Sequence, residues 1–316
     1  MKFRTLAASF GVAVAGLAAA TLWRLDQREV AARAAHPPLG QLIGPEGAAV
    51  HVLVQGQGPD LVLIHGANGN LRDFSFAMVD KLAENYRVIA VDRPGLGYSD
   101  PLPGGETSVA AQAARLRATV AELGVSRPIV LGHSYGGAVA LAWALEAPPA
   151  AMVLVSAASM PWPGKLDPWY RVTASAPGRR IVVPLASAFV PESYVRRSIE
   201  AVFAPQAAPE GYADYLGIDL TLRPGALAAN VAQVNALRPQ VEAMAARYPG
   251  LSLPVELVHG DADTIVPLTV HAGPLAQLLP QVNLTVLPGA GHMPHHSHRA
   301  EVLDAIDRAA ARAGLR

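Results

Sequence analysis

The segment Ile129-Val-Leu-Gly-His-Ser-Tyr-Gly-Gly137 carries the strongest structural signal in this chain. An apolar run leads into the pattern G-x-S-x-G, and a helix-compatible stretch follows over 138–145. Strand, sharp turn and helix in this order are typical of a nucleophile elbow, which exposes the hydroxyl group of its serine. The flanking glycines are needed because a Cβ there would collide with the neighbouring strand and helix. The pattern predicts that Ser134 is a nucleophile, and that the positive end of the following helix favours a developing oxyanion.

A second strand and loop, Leu61-Val-Leu-Ile-His-Gly-Ala-Asn-Gly-Asn70, precede the elbow in the chain. The apolar run ends in His-Gly and gives way to small residues, where an oxyanion-hole loop would lie. We expect the backbone N–H groups of Ala67 and Tyr135 to be the two oxyanion donors. A glycine turn that only closes a strand would have the same sequence, so this segment alone leaves both interpretations open.

Two aspartates follow a third apolar strand in Val255-Glu-Leu-Val-His-Gly-Asp-Ala-Asp-Thr-Ile-Val-Pro267. One of them is a candidate for the acid that orients a catalytic histidine. We prefer Asp263, which stands deeper in the loop. Asp261 is the alternative, although an aspartate directly after a strand is usually a turn or cap residue.

The histidine candidate, His292, stands in a glycine-rich loop after the last strand, Asn283-Leu-Thr-Val-Leu-Pro-Gly-Ala-Gly-His-Met-Pro294. His295, His296 and His298 follow closely and resemble a metal cluster. We interpret them as a histidine-rich surface loop, because the chain has no cysteine and no carboxylates at ligand spacing near them. The sequence therefore predicts neither a metal nor another cofactor.

The candidates Ser134, Asp263 and His292 follow the chain order nucleophile, acid, histidine, which is the order of α/β-hydrolases. The segment Val91-Asp-Arg-Pro-Gly-Leu-Gly-Tyr-Ser99 is similar to the D-x-x-G-x-G-x-S loop of those enzymes. From about residue 47 to 315 the chain resembles the α/β-hydrolase superfamily, specifically its single-domain serine hydrolases. In that family the D-x-x-G-x-G-x-S loop is structural, so its aspartate and serine receive no chemical role.

The resemblance also excludes some relatives. Haloalkane dehalogenases and epoxide hydrolases of this fold carry aspartate where this chain has Ser134. The H-G-G-G loop of one lipase branch is replaced by His65-Gly-Ala-Asn-Gly69. We therefore expect neither dehalogenation nor epoxide opening.

Strand and helix patterns alternate along the chain, which predicts an α/β fold with a mostly parallel central sheet flanked by helices. The predicted strands are 49–54, 61–64, 88–91, 129–131, 152–155, 255–258 and 284–287, and the predicted helices are 73–84, 107–123, 135–145, 271–279 and 298–311. All the candidate catalytic residues follow carboxyl ends of strands, where open α/β sheets bind their ligands.

The interval from about 157 to 249 has no clear buried strand and is broken by prolines. It resembles the helical cap that α/β-hydrolases insert over the active site. We expect some of its aromatic side chains to line an apolar substrate pocket, although packing within the cap is the simpler role for any single one. These residues are Trp162, Trp169, Tyr170, Phe189, Phe203, Tyr212 and Tyr215.

Composition limits the class of protein. The chain has 316 residues, of which 51% are hydrophobic and 16% charged, and its formal net charge is zero. The length suffices for one large domain, assigned to 45–316. Zero net charge without a basic cluster argues against nucleic acid as a partner. The absence of cysteine excludes disulfides and thiol catalysis but leaves the compartment open.

The N-terminal segment 1–25 predicts a transmembrane signal-anchor or a signal peptide, followed by a linker over 26–44. Residues 5–23 are uncharged and would span about 28 Å as a helix, close to the thickness of the hydrocarbon core. We favour an anchor, because the run exceeds the usual apolar region of a signal peptide. Lys2 and Arg4 would then lie in the cytoplasm and the catalytic domain outside it, whereas cleavage would give a secreted protein.

The resemblance implies a serine hydrolase that cleaves a carboxylic ester of a small apolar molecule through an acyl-enzyme, without a cofactor. C–C bond hydrolases, lactonases, amidases and cofactor-free perhydrolases share the same triad, so the bond that is cleaved stays open. The alternative from another class is a non-catalytic ligand-binding protein on this fold. Such proteins generally lose one triad member, whereas Ser134, Asp263 and His292 are all present here.

Overall fold

The computed structural model describes the backbone of residues 2–316 and the side chains of residue 9 and residues 11–316. Met1 and the side chains of Lys2 and Arg4, which were used to orient the segment 1–25, lie outside the described part. An eight-stranded sheet runs through the molecule. Its strands are β1 (Gln41–Ile43), β2 (Val50–Gln55), β3 (Asp60–Ile64), β4 (Arg87–Val91), β5 (Ile129–His133), β6 (Ala151–Val155), β7 (Val255–Gly260) and β8 (Val282–Leu287).

Helices cover both faces of this sheet. Those of the described residues are α1 (Lys2–Ala35), α2 (Arg72–Ser75), α3 (Val79–Leu82), α4 (Val109–Glu122), α5 (Tyr135–Glu146), α6 (Pro168–Thr173), α7 (Val183–Phe189), α8 (Glu192–Phe203), α9 (Tyr212–Leu216), α10 (Ile218–Leu222), α11 (Pro224–Ala245), α12 (Ala272–Leu278), α13 (Pro294–Ser297) and α14 (Arg299–Arg312).

The strands lie in the order β1-β2-β4-β3-β5-β6-β7-β8. β1 is antiparallel to β2 and β2 is antiparallel to β4, whereas every neighbouring pair from β4 to β8 is parallel. This confirms the predicted mostly parallel sheet with flanking helices. Because parallel strands end at the same edge, the loops after β3, β5, β7 and β8 meet there.

Alternating side chains of the buried strands form two apolar cores, one on each face of the sheet. Val130 of β5 packs in the core that includes α4 and α5, whereas Ile129 and Leu131 pack in the core that includes α14. Val302 and Ile306 represent α14 in that second core and are fully buried. The sheet is therefore covered on both faces, which holds its carboxyl edge rigid beneath the loops.

Between β6 and β7 the described chain forms only helices and loops. Helices α6 to α11 fill this interval, together with a π-helical stretch, Gly178–Val182, that runs directly into α7. These helices lie within the segment for which we predicted a cap. Of its aromatic residues, Phe203 and Tyr212 pack in a small apolar core of their own with Met293, whereas the Phe189 side chain is exposed.

The N-terminal helix differs from the predicted membrane segment. α1 continues without a break through the charged residues beyond Trp23 and ends at Ala35, so the predicted boundary at residue 25 falls inside one helix. Among the helices of the described residues, none combines the length and the apolar character that crossing a bilayer requires. The predicted membrane anchor, and the membrane as a partner, are therefore not supported.

The second half of α1, whose last residues lie in the segment assigned to the linker, binds the cap. The Arg28 guanidinium donates hydrogen bonds to the carbonyl groups of Ser187 and Val190, each at 2.8 Å. Glu29 accepts a hydrogen bond from Arg223 of the cap at 3.0 Å. The Arg28 guanidinium thereby satisfies carbonyls at the end of α7, which the helix itself leaves without partners. The rest of the predicted linker contains β1, which lengthens the sheet at its edge.

Candidate active site

Ser134 occupies the sharp turn that the sequence predicts between β5 and α5. Its backbone has φ 53° and ψ −117°, a strained conformation for a residue with a side chain. A Cβ on Gly132 would collide with the carbonyl of Gly136, and a Cβ on Gly136 would collide with the carbonyl of Ile64. Glycine is required at both positions because the elbow packs directly against its own strand and the neighbouring one.

His292 lies between Ser134 and Asp263. Its Nδ1 is 2.7 Å from the Asp263 Oδ2, and its Nε2 is 3.0 Å from the Ser134 Oγ. A carboxylate only accepts hydrogen bonds, so Nδ1 carries the hydrogen and Nε2 presents a lone pair to the serine hydroxyl. The structure thus brings the three predicted residues into one hydrogen-bonded chain from three separate loops. Such a chain can remove the hydroxyl proton as the serine attacks an electrophile.

The Asp263 carboxylate is fixed by its own loop. Its Oδ1 accepts hydrogen bonds from the backbone N–H groups of Ile265 and Val266, both at 2.9 Å. Burial alone would raise the pKa of Asp263, but hydrogen bonds from His259 and His292 outweigh it and hold that pKa below the ordinary value. The carboxylate is therefore ionised at neutral pH and faces His292 as an acceptor.

Asp261, the alternative acid, does not contact His292. Its side chain is exposed, and its Oδ1 accepts a hydrogen bond from the Gly289 N–H at 2.6 Å. It therefore ties the loop after β7 to the loop after β8, which is the turn role expected of an aspartate after a strand.

The two predicted oxyanion donors flank the serine. Ala67 directly follows Gly66, and a Cβ on Gly66 would lie 3.2 Å from the Ser134 Cβ. Tyr135 is the first residue of α5, a position whose N–H has no acceptor within the helix. Among the described residues, neither N–H donates a hydrogen bond to a protein group. Both are thus free to bind a negative oxygen beside Ser134.

Arg93, which we did not single out from the sequence, supports the loop that carries Ala67. Its side chain is fully buried and donates hydrogen bonds to the carbonyl groups of His65 and Gly66, both at 3.1 Å. It also lies over the Tyr135 ring, 4.1 Å from the centroid. One cation therefore holds both sides of the predicted oxyanion site. Its neighbour in the same motif, Asp92, accepts the backbone N–H of Tyr98 at 2.8 Å, in keeping with a structural role.

The cap contacts the same loop through polar side chains. The Asn68 N–H donates to the Asn230 Oδ1 at 2.7 Å, and the Asn68 side chain donates to the Tyr170 hydroxyl at 3.2 Å. Asn68 has φ 53°, so this loop is held in a left-handed conformation beside the serine. Tyr170 was predicted as a cap aromatic. The sequence carried no signal for the contact between Asn68 and Asn230, because these residues are far apart in the chain.

A second polar cluster lies behind the elbow and corrects the prediction of a histidine-rich surface loop. His295 and His296 are buried, and both donate hydrogen bonds to Asp73, at 3.2 and 2.8 Å respectively. His133, the variable residue of the G-x-S-x-G pattern, is buried beside them. Burial lowers the pKa of His295 to about 4 and holds the pKa of His133 well below its ordinary value. The sequence around residue 295 is polar and therefore predicted a surface loop. Burial of the His295 side chain is favourable because Asp73, which is distant in the chain, accepts its hydrogen bond.

Asp73 is also the residue that could hold a metal. Asp73, His133 and His295 each offer a ligand atom, and these atoms lie within 4.8 Å of one another. Burial would raise the pKa of Asp73, but charge and hydrogen bonds from His295, with further hydrogen bonds from His296, place it well below the ordinary value. The cluster therefore combines an ionised carboxylate with buried imidazoles.

Comparison with known proteins places the chain in a family. The model of the family described as "Alpha/beta hydrolase family" matches residues 61–305, well over half of the chain. The pimeloyl-[acyl-carrier protein] methyl ester esterase of Yersinia pseudotuberculosis serotype O:1b (strain IP 31758) is 29% identical over 251 residues. The aligned region covers 76% of this chain and 88% of that protein.

Solved structures show the same similarity. An alpha/beta hydrolase fold protein from Burkholderia ambifaria matches with a TM-score of 0.71 and 27% identity, over 85% of this chain and 98% of that chain. An esterase from Rhodococcus sp. ECU1013 matches with a TM-score of 0.66 and 25% identity, over 85% of this chain and 97% of that chain. The nucleophile elbow, the parallel sheet and these matches together show that the chain is a hydrolase of the alpha/beta hydrolase family.

Proposed function

We propose that this protein hydrolyses carboxylic esters of small apolar molecules, with Ser134 as nucleophile, His292 as general base and Asp263 as the acid that orients it. The hydrogen-bonded chain Asp263–His292–Ser134, with heavy-atom distances of 2.7 and 3.0 Å, is the observation that carries the proposal. It lies at the carboxyl edge of the sheet, where the fold binds ligands. The esterases among the similar proteins support the same reaction.

The proposed reaction proceeds through an acyl-enzyme. The Ser134 Oγ attacks the ester carbonyl carbon while its proton passes to the Nε2 of His292. The tetrahedral intermediate then expels the alcohol, which takes that proton from His292 as the C–O bond breaks. Water attacks the acyl-enzyme with His292 again as base, and the acid product leaves with Ser134 restored. Asp263 stays ionised throughout and stabilises the imidazolium that forms in each half-reaction.

The backbone N–H groups of Ala67 and Tyr135 bind the oxyanion in this proposal. One such donor typically lowers the barrier by about 3 kcal/mol, because it is already aimed at the developing charge. Arg93 and Asn230 both hold the loop that carries Ala67, and Arg93 also lies over the Tyr135 ring. They are positioning residues.

Apolar side chains at the start of the cap support a small apolar substrate. The Ser134 carbonyl accepts the Ala158 N–H at 3.1 Å, so the chain that leaves β6 begins beside the nucleophile. It carries Met160 and Trp162, which are half-buried and pack against the core. These side chains favour an alkyl or aryl group over a charged one. The methyl ester activity in the name of the Yersinia relative makes methyl esters a natural first class to test.

The proposal is tested with a panel of p-nitrophenyl esters of increasing acyl-chain length, together with methyl esters, and with Ser134→Ala as the blank. We expect saturable hydrolysis by the natural protein on at least the short acyl chains, and none above background with Ser134→Ala. Turnover of lactones or C–C bonds without any ester hydrolysis would overturn the ester proposal while keeping the nucleophile. Ester hydrolysis that persists in Ser134→Ala would overturn the assignment of the nucleophile itself.

A further inference from the structure

The buried cluster behind the elbow, hereafter the Asp73 cluster, consists of Asp73, His133 and His295. Asp73 lies in α2, His133 ends β5 directly before Ser134, and His295 lies in α13. At most 3% of any of these residues is exposed. The proposed ester hydrolysis uses none of them, so the arrangement of three titratable groups out of contact with solvent calls for a separate explanation.

The hydrogen-bonding of His133 fixes which of its nitrogens carries the hydrogen. Its Nε2 is 3.0 Å from the carbonyl oxygen of His292, which can only accept. Nε2 is therefore the donor, and Nδ1 of the neutral ring presents a lone pair. Nδ1 is buried, and no protein group in the described part of the chain donates to it.

The lone pair of His133 faces a second acceptor. Nδ1 lies 3.9 Å from the Asp73 Oδ2. A buried nitrogen lone pair and a buried carboxylate oxygen oppose each other at this distance unless a positive centre lies between them. A cation that binds both would remove the unfavourable contact.

The two carboxylate oxygens of Asp73 accept different numbers of hydrogen bonds. Oδ1 accepts hydrogen bonds from the Tyr212 hydroxyl and from His296, both at 2.8 Å, and from His295 at 3.2 Å. Among the described residues, Oδ2 accepts only from His295, also at 3.2 Å. Metal-binding carboxylates are commonly held in this way, with outer hydrogen bonds on one oxygen and the ion on the other.

His295 can supply a third ligand atom beside those of Asp73 and His133. Its Nε2 is 3.2 Å from both carboxylate oxygens, and its ring lies against that of His133 with centroids 4.4 Å apart. Without an ion, Nε2 carries the hydrogen that the carboxylate accepts, while Nδ1 has no hydrogen-bond partner among the described residues. Nδ1 can therefore take the hydrogen when an ion replaces it on Nε2. With the hydrogen on Nδ1, Nε2 becomes a third ligand atom that points at the same space.

We propose that Asp73 Oδ2, His133 Nδ1 and His295 Nε2 bind one divalent transition-metal ion of the zinc class. Two imidazoles and one carboxylate are ligands that Zn²⁺ accepts at about 2.0–2.2 Å. Ligand atoms of one ion then lie at most about 4 Å apart, whereas the three atoms here lie within 4.8 Å, so binding requires them to close by less than about 1 Å. The ion joins α2, β5 and α13, the segments around Ser134 and His292. Its role is to stabilise the fold beneath the site.

The test is a titration of the full-length, metal-free protein with Co²⁺, which reports its ligands through visible absorption bands, followed by displacement with Zn²⁺. We expect one Co²⁺ per chain, loss of its bands when Zn²⁺ is added, and a higher midpoint of thermal unfolding with either ion. An absence of saturable binding to the folded protein would overturn the proposal, whatever the variants do.

Variants locate the ion. His133→Asn and His295→Asn should each abolish the Co²⁺ bands, and Tyr212→Phe, which removes an outer hydrogen bond, should weaken binding by about 10- to 100-fold. His298→Asn in the same segment and His292→Asn in the proposed triad should both retain one ion with unchanged bands. Circular dichroism confirms that each variant is folded. Loss of the ion in His292→Asn but not in His295→Asn would place it at the triad and contradict the proposal.

Discussion

Two clusters of histidine and aspartate in the described structure, one around His292 and the other around Asp73, differ in the group that the histidine contacts. In the first, His292 stands between Asp263 and Ser134, whose side chain is partly open to solvent. In the second, Asp73 accepts hydrogen bonds from buried histidines, and none of these histidines contacts a serine hydroxyl of the described residues. The same residue types therefore favour acid–base chemistry in one place and structural or metal-binding chemistry in the other. The two clusters differ because the first contains the Ser134 hydroxyl and is partly open to solvent, so that a substrate can reach it.

The largest effect expected from this comparison is on the proposed base. His292→Ala should lower kcat by about 10⁶-fold, because the nucleophile then has no proton acceptor. His298→Ala, which removes a histidine from the same segment outside both clusters, should change kcat by less than about twofold. Ester hydrolysis by both variants provides the measurement. A comparable loss in His298→Ala would mean that the whole segment, and not the imidazole of His292, controls the rate.

The next largest effect separates the two aspartates after β7. Asp263→Asn should lower kcat by about 10⁴-fold, since the amide cannot hold His292 in the required tautomer. Asp261→Asn should leave kcat within about twofold, because that side chain accepts the Gly289 N–H and lies away from His292 in the described structure. The reverse result would show that Asp261 is the acid. Steady-state kinetics on one good ester substrate decides between them.

Substitution in the second cluster should affect stability more than catalysis. Asp73→Asn leaves several buried donors without a charged acceptor and should lower the free energy of unfolding by about 2 kcal/mol. The folded fraction should still react at Ser134, with kcat lowered far less than in Asp263→Asn. Urea unfolding and kinetics on the same preparation test both parts. A drop in kcat as large as that of Asp263→Asn would erase the distinction between the two clusters.

Buried histidines give the stability a pH dependence. Burial lowers the pKa of His65, His271 and His295 to about 4, below the value of about 6.5 in an unfolded chain. Between these two values the unfolded chain binds more protons, so the free energy of unfolding should fall as the pH decreases from about 6.5 to 4. Each group contributes at most about 1.4 kcal/mol per pH unit. Urea unfolding with a chelator present measures this, and constant stability across the window would contradict the burial of these imidazoles.

The smallest expected effect concerns the contact between the cap and the loop of Ala67. Asn230→Ala removes the acceptor of the Asn68 N–H, a hydrogen bond worth about 1 kcal/mol, and should lower kcat by about fivefold with little change in KM. Asn235→Ala on the same helix should have no such effect, because its side chain donates to the Val231 carbonyl within α11. Equal losses in both variants would assign the effect to the helix as a whole.

Much of the fold could be predicted because the buried strands carry local signals. The run predicted at 61–64 became β3, and the run at 129–131 became the first part of β5. β1 was missed because its three residues are all at least partly exposed, and its strand conformation depends on pairing with β2. The prediction of one helix over 73–84 was wrong, because the structure has two short helices there. Nothing in the sequence marks the break between them.

Contacts between distant residues were not accessible to the same reasoning. The triad candidates could be chosen because each follows a strand in a fixed order, and the structure brings them together. The Asp73 cluster has no comparable pattern, because Asp73 and His295 are separated by 222 positions in the chain. The choice between Asp261 and Asp263 also stayed open. The two residues lie two positions apart in one loop, and only the conformation of that loop determines which carboxylate faces His292.

Covalent labelling shows whether Ser134 is an activated nucleophile. A fluorophosphonate probe reacts when an activated serine displaces fluoride from phosphorus, and mass spectrometry of the digested protein locates the adduct. We predict one adduct per chain, on the peptide that contains Ser134, with none in Ser134→Ala and an undiminished yield in Ser156→Ala, the matched serine at the end of β6. An unlabelled but folded natural protein, or an adduct on another residue, would contradict the account.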